Sequence, residues 1–174
     1  MRIVAGALRG RRLQGPVDDS VRPTSDRLRE TLFNVLGPTL EGARVLDAFG
    51  GTAAVAIEAL SRGAAQAVVY ERSPRALAVA RANVDGCGMG DRCRVVRGDF
   101  LATVGTGDCD LVFLDPPYEF DALDRALGIA AGHLAPGGRL ILEHRRGRPT
   151  PEAVGDLRRV RVLEAGDSAL SFYR

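Results

Sequence analysis

The sequence predicts an α/β domain: a doubly wound, seven-stranded, mainly parallel sheet with a basic N-terminal β-hairpin extension. Three observations lead there. From residue 44 onward, short apolar runs rich in Val, Leu and Ile alternate with helix-like patterns, as expected when helices cover both faces of a parallel sheet. Gly, Pro and Asp clusters punctuate those runs, which marks turns rather than continuous helices. The length, 174 residues, suits one sizeable core. We divide the chain into a hairpin and loop extension over 1–23 and a main domain over 24–174.

The elements follow in order. Ile3, Val4, Leu8 and Leu13 around Gly6 and Gly10 predict two short strands with a glycine turn. Pro16 to Pro23 reads as a loop, and Thr24 or Ser25 caps a helix with Leu28, Leu32, Phe33, Val35 and Leu36 on its apolar side. Gly37-Pro38 ends it. Strands are expected at 44–49, 67–71, 94–97, 110–115, 139–143, 159–164 and 169–173. Between them come helices at 53–62, from Pro74 to about Val84 behind a Ser73 cap, and at 121–134. Pro136-Gly137-Gly138 reads as a turn, and 151–158 as a short helix.

Composition excludes several classes. There are 24 basic residues, all Arg, against 22 acidic ones, so the net charge is +2. That balance argues against a histone-like or tail-type polyanion binder, yet a local basic surface remains open. Arg2, Arg9, Arg11 and Arg12 supply one, with no acid among the first 15 residues. No apolar run is long enough for a membrane span, and the first residues do not read as a secretory signal. Cys87, Cys93 and Cys109 lack metal or disulfide spacing, and His133 and His144 are the only histidines. We therefore expect no metal site, no hydrolase triad, and a reducing, cytoplasmic location.

Ligands of such sheets sit beyond the carboxyl ends of the strands, at the switch point. Three features meet there. Asp47-Ala-Phe49-Gly-Gly51-Thr52-Ala53 follows the first strand and opens a helix, where bare backbone N–H groups can approach a ligand. Asp47 stands ahead of the turn, where its charge repels phosphate and attracts a cation. Glu71 ends the second strand and can accept ribose hydroxyls. Asp99 and Phe100 end the third, one able to accept from an adenine amine, the other offering an apolar face. Acids for a cation, a ribose and an adenine describe S-adenosylmethionine better than a dinucleotide.

Asp115-Pro116-Pro117-Tyr118 ends the fourth strand, beside the first in this topology. Two prolines cannot continue a central strand. They form a stiff turn and leave carbonyls free to accept. A planar exocyclic amine delocalises its lone pair into its ring. Hydrogen bonds from its N–H groups to Asp115 and the Pro116 carbonyl would localise that pair toward a methyl donor, while Tyr118 stacks on the base. Catalysis would then be orientation and electrostatics.

The residues also resemble a known family. Asp115-Pro-Pro-Tyr118 is the mark of amino-group methyltransferases. Arg2-Ile-Val-Ala-Gly6, Arg9-Gly-Arg-Arg-Leu13, the run from Arg22-Pro-Thr-Ser-Asp26 to Leu36, and Ile57-Glu-Ala-Leu-Ser-Arg-Gly-Ala64 are similar to the RsmD family. Those enzymes methylate N2 of one guanine in bacterial 16S rRNA. The resemblance covers nearly the whole chain. It implies a Rossmann-like class I methyltransferase that uses S-adenosyl-L-methionine. Asp47, Phe49, Gly51, Thr52, Glu71, Asp99 and Phe100 fall in cofactor positions and Asp115, Pro116, Pro117 and Tyr118 in catalytic ones. Arg2, Arg9, Arg11, Arg12 and Arg22 would contact RNA, and the partner would be 16S rRNA, free or within a 30S particle, met by a monomer. One departure stands out: Ala53 and Ala56 occupy slots where the family carries Gly. A left-handed backbone at 53 would cost Ala about 1–2 kcal/mol, and its methyl would crowd the cofactor. Two other readings stay open here, an N6-adenine methyltransferase and a non-catalytic rRNA-binding assembly factor that has lost its cofactor.

Overall fold

The computed structural model describes residues 1–16, 26–37 and 40–174. The expected cap at Thr24 or Ser25, the RNA contact at Arg22, and Pro23 and Pro38 lie outside the described residues. Four helices are described: α1 (Asp26–Leu36), α2 (Ala54–Ser61), α3 (Pro74–Gly86) and α4 (Leu123–His133). The strands are β1 (Arg44–Asp47), β2 (Gln66–Glu71), β3 (Cys93–Arg97), β4 (Cys109–Leu114), β5 (Leu134–Arg145), β6 (Ala153–Val154), β7 (Leu157–Ala165) and β8 (Ser168–Tyr173). They form one sheet in the order β3-β2-β1-β4-β5-β8-β7-β6. The β3-to-β5 half is parallel, and β8, β7 and β6 join it antiparallel.

The central strands are apolar on both faces. In β4, Leu111 and Phe113 enter the core shared with α1, α2 and α3, while Val112 and Leu114 enter the core under α4. Successive side chains of a strand point to opposite faces, so a continuous Leu-Val-Phe-Leu run is what a doubly covered strand needs. Helix α1 buries Leu28, Leu32, Phe33 and Leu36, a helical stripe against that first core. Ser73 caps α3, its side chain accepting from Ala76 N, with Pro74 as the first helical residue. No helix among the described residues is long and apolar enough to cross a membrane.

The structure corrects three expectations of secondary structure. The sheet has eight strands rather than seven, because residues 151–158 form β6 and the start of β7, not a helix. Gly155 adopts φ +57° in a two-residue turn that pairs Val154 with Leu157, a hairpin geometry open to Gly. Pro136-Gly137-Gly138 does not precede a strand but lies inside β5, where the pairing with β4 shifts register between Cys109 and Leu111. The two N-terminal strands reduce to one antiparallel bridge, Arg2 with Arg12.

The donors between those paired positions go to α2, which keeps the strands short. Val4 N and Ala5 N donate to the Glu58 carboxylate at 2.7 and 3.0 Å. Leu8 N donates to Ser61 Oγ at 2.9 Å and Ala7 N to the Ser61 carbonyl at 2.8 Å. The segment thus pairs with itself, Ile3 N donating to the Arg11 carbonyl at 2.9 Å, Gly10 N to the Ile3 carbonyl at 2.8 Å and Leu13 N to the Met1 carbonyl at 3.2 Å, and is latched onto α2 by its remaining donors. Glu58 also accepts from Arg62 Nε at 2.9 Å, and both side chains are buried. Removing one partner from such a buried pair costs about 3–5 kcal/mol, so the latch is an integral part of the fold.

Two glycines of this segment make a direct test. Gly6 has φ +80°, and a Cβ there would stand 1.9 Å from the Ser61 carbonyl oxygen. Gly10 has φ +83°, with open space around it. Gly10→Ala should cost only the left-handed penalty, about 1–2 kcal/mol. Gly6→Ala should cost clearly more, because the segment must lift from α2. Denaturant unfolding of both variants checks this, and equal losses would mean the latch contributes nothing.

Candidate active site

The carboxyl ends of β1, β2, β3, β4 and β5 open on one cavity of about 570 Å³, within the usual range of small-ligand sites, roughly 300–1,000 Å³. It lies where the strand order switches between β1 and β4. Asp47, Phe49, Gly51, Thr52, Glu71, Asp99, Phe100, Asp115, Pro116, Pro117 and Tyr118 all line it. The expected RNA contacts Arg2, Arg9, Arg11 and Arg12 do not line it; they are exposed on the N-terminal segment.

Asp47 ends β1 with 2% of its surface exposed, and its Oδ1 is buried without a hydrogen-bond partner among the described residues. Burial, with the Asp115 charge added, pushes its carboxyl up to about 8; the Phe49 backbone N–H opposes this and Glu71 adds to it. An orphaned buried acceptor among like charges is a place for a cation. The turn after Asp47 is pressed against β2. Gly50 N donates to the Tyr70 carbonyl at 2.9 Å, and a Cβ on Gly50 would meet Val69 Cγ1 at 2.0 Å. Glu71 braces the same turn. Its Oε2 accepts from Gly51 N at 2.9 Å and its Oε1 from Ser73 N at 2.7 Å, and each oxygen keeps lone-pair capacity for a ligand hydroxyl.

Ala53 carries the left-handed backbone, at φ 61° and ψ 20°, so the strain of about 1–2 kcal/mol is real. The expected crowding is not. Ala53 is fully buried, belongs to the apolar core with Ala56, and is absent from the cavity wall. Its methyl fills the core behind the turn rather than the space in front of it.

Aromatic rings form one wall. Phe49 meets Phe100 at 6.0 Å and Phe120 edge-on at 5.3 Å, and Tyr70 meets Phe100 at 6.1 Å between centroids. Phe100 is buried, so it backs this wall instead of offering an open face. Asp99 is exposed, and one of its oxygens accepts from Leu101 N at 2.9 Å, capping a 3-10 turn over Phe100–Ala102.

The Asp-Pro-Pro-Tyr turn is held from outside. Tyr118 Oη lies 2.9 Å from Ser168 Oγ at the start of β8. Arg148 Nη1 donates to the Tyr118 carbonyl at 2.6 Å and Nη2 to the Phe120 carbonyl at 3.2 Å. Sequence reasoning missed these two braces, since Arg148 stands in a run of arginines that reads as a solvated loop. It also missed Glu143, which is buried at the end region of β5 and lines the cavity; the strand-end rule that selected Asp47 and Glu71 would have found it. Asn83 gave no signal. Buried on α3, it donates to the Thr52 carbonyl at 3.0 Å and the Gln14 carbonyl at 3.1 Å, and accepts from Gln14 N at 2.7 Å. It joins the N-terminal segment to the turn that lines the cavity.

The Asp47 shift has a measurable consequence. The folded protein holds this proton up to about pH 8, while the unfolded chain releases it near the ordinary value of 3.8. Its contribution to stability is therefore present at low pH and lost as pH rises through that window, with a limiting slope of about 1.4 kcal/mol per pH unit. Asp47→Asn removes the proton-linked part. Thermal melts of the ligand-free protein between about pH 5 and about pH 8 should fall less steeply for the variant than for the parent. Parallel profiles would show that Asp47 is already ionised.

Comparison with known proteins agrees with this geometry. The family model described as Conserved hypothetical protein 95 matches residues 1–174. The Escherichia coli (strain K12) protein named Ribosomal RNA small subunit methyltransferase D is 37% identical over 181 residues, covering 100% of this chain and 89% of that one. The Haemophilus influenzae protein of the same name is 33% identical over 162 residues, covering 87% and 83%. The solved structure of Escherichia coli yhhF superposes with a TM-score of 0.86 at 36% identity, covering 99% of this chain and 96% of that one. An RNA methyltransferase from Salinibacter ruber, solved with S-adenosyl-L-homocysteine, shares the fold at a TM-score of 0.68 and 18% identity, over 87% and 92%. With its whole length matched by one family model and by full-length relatives, the chain belongs to the Conserved hypothetical protein 95 family, the RsmD family.

Proposed function

We propose that this protein transfers a methyl group from S-adenosyl-L-methionine to the exocyclic N2 of one guanine in 16S rRNA. The observation that carries the reading is the pairing of β1 with β4. It sets Asp47, an acid suited to a cation, beside Asp115, an acid suited to an amine, on one cavity. The names of the full-length relatives, ribosomal RNA small subunit methyltransferases, support the same substrate class. The assembly-factor alternative loses its support, because Ala53 and Ala56 sit in the core and not in the cavity wall.

The cofactor supplies an electrophilic methyl on a cationic sulfonium. Asp47, Glu71 and the Gly50-Gly51-Thr52 turn would hold it, and the Phe100 region would border its base. Asp115 accepts from one N–H of the guanine amine and the Pro116 carbonyl from the other, which turns the nitrogen lone pair toward the methyl. Tyr118 stacks on the base, steadied by Ser168 and Arg148. No base need remove a proton before transfer; the amine proton becomes acidic once the nitrogen carries the new methyl. Arg2, Arg9, Arg11 and Arg12, exposed on the latched segment, supply phosphate contacts. The protein acts as a cytoplasmic monomer. Its substrate is rRNA already folded in a small-subunit assembly intermediate, since a chain of 18.5 kDa has little surface with which to find one base alone.

Mass mapping of 16S rRNA from small-subunit assembly intermediates incubated with the protein and S-adenosylmethionine tests this. One N2-methylguanine should appear, and Asp115→Ala should lower its rate by on the order of 10²-fold or more with the melting temperature retained. Methyl groups on adenine N6 instead, or substantial turnover by the variant, would overturn the assignment.

A further inference from the structure

The end of β5 leads into a connection, residues 146–152, that leaves the sheet at the end where the cavity opens. Arg145, Arg146 and Arg148 stand here around Gly147, with no acid from 144 to 151. Arg145 and Arg146 are exposed; Arg146 makes a surface ion pair with Glu164 at 2.8 Å, while Arg148 turns inward. The backbone is fixed: Arg146 N donates to the Asp167 carbonyl at 2.8 Å and Arg148 N to the Arg145 carbonyl at 3.0 Å. Arg148 then holds the carbonyls of Tyr118 and Phe120. Ser168, the register partner of Arg145 in the β5–β8 ladder, contacts the Tyr118 hydroxyl. The outward arginines and the Asp-Pro-Pro-Tyr turn are therefore parts of one hydrogen-bonded unit.

We propose that Arg145 and Arg146 form a phosphate-binding lip for the RNA strand on either side of the target base, and that Arg148 ties this lip to the Asp-Pro-Pro-Tyr turn. The inference rests on the rRNA reading above. A base seated beside Tyr118 brings its flanking phosphates to this rim. Guanidinium forks match phosphate oxygens in pairs, and the ion pair of Arg146 with Glu164 is exposed enough to yield to a phosphate. The lip stands apart from the N-terminal arginines, whose segment is latched to α2 through Val4, Ala5 and Leu8. Arg148 is a positioning residue, since it acts through the turn it holds.

The test uses the 174-residue protein and a small-subunit assembly intermediate that the parent protein methylates. Arg145→Gln/Arg146→Gln should bind it roughly tenfold more weakly at about 0.1 M salt, with the slope of log affinity on log salt reduced by about 1.5, two phosphate contacts' worth. Its affinity for S-adenosylhomocysteine should match the parent's. Arg148→Ala should lower kcat with little change in the KM for RNA, and Arg148→Lys should restore part of kcat, a split that general loosening of the fold would not give. Parental RNA affinity and salt slope in the double variant overturn the lip. An unchanged kcat in Arg148→Ala overturns the tie. If the parent protein methylates no rRNA at all, the functional reading fails and the lip with it.

Discussion

Everything at the working end of this molecule depends on two carboxylates brought together by one strand pairing. β1 and β4 run parallel and adjacent, with Asp47 in register with Phe113, so Asp115 opens on the same cavity just beyond it. Like charges so placed raise each other's cost of ionisation, and burial raises it further. At Asp47 burial is the larger part of that cost and the Asp115 charge adds to it, which pushes its carboxyl up to about 8. Such an arrangement destabilises the empty protein at neutral pH and favours any ligand that brings a positive charge. The fold holds the acids there because the sheet behind them is buried on both faces and cannot relax without losing its core.

The rest of the chain braces that end. Glu71 ties the glycine turn to the start of α3, Asn83 ties the same turn to the N-terminal segment, and Glu58 with Ser61 latches that segment to α2. Each brace is a buried or half-buried polar side chain hydrogen-bonded to backbone, and such groups specify position because leaving those bonds unmade is costly. The basic segment is therefore a fixed surface. On the other flank, Arg148 and Ser168 do the same for the Asp-Pro-Pro-Tyr turn.

Much of this was legible in the sequence, and the reason is topological. Ligand sites of doubly wound sheets gather at strand ends, so Asp47, Glu71, Asp99 and Asp115 could be found by locating strands, without knowing any contact. Continuous apolar runs such as Leu111 to Leu114 marked the strands, and Ser73-Pro74 marked a helix start. What stayed hidden depends on three-dimensional neighbours. The side of the turn on which the Ala53 methyl lies is set by packing against α2 and β2, and periodicity carries no information on it. The sequence places Gly155 in a short helix over 151–158; its left-handed backbone makes a hairpin instead. Asn83, Arg148 and Ser168 act on partners 28 to 69 residues away, beyond the reach of any local pattern.

A buried acid, Asp47, beside the half-buried Asp115 is completed by a cation, and proton linkage measures it. Calorimetric titration with S-adenosylmethionine near pH 7, in two buffers of different ionisation heat, counts protons exchanged on binding. With its carboxyl pushed up to about 8 by burial and by Asp115, Asp47 holds its proton at that pH, and a bound cation would favour its ionised form. Binding should therefore release close to one proton, and the release should be absent in Asp47→Asn. Binding with no proton released would contradict it.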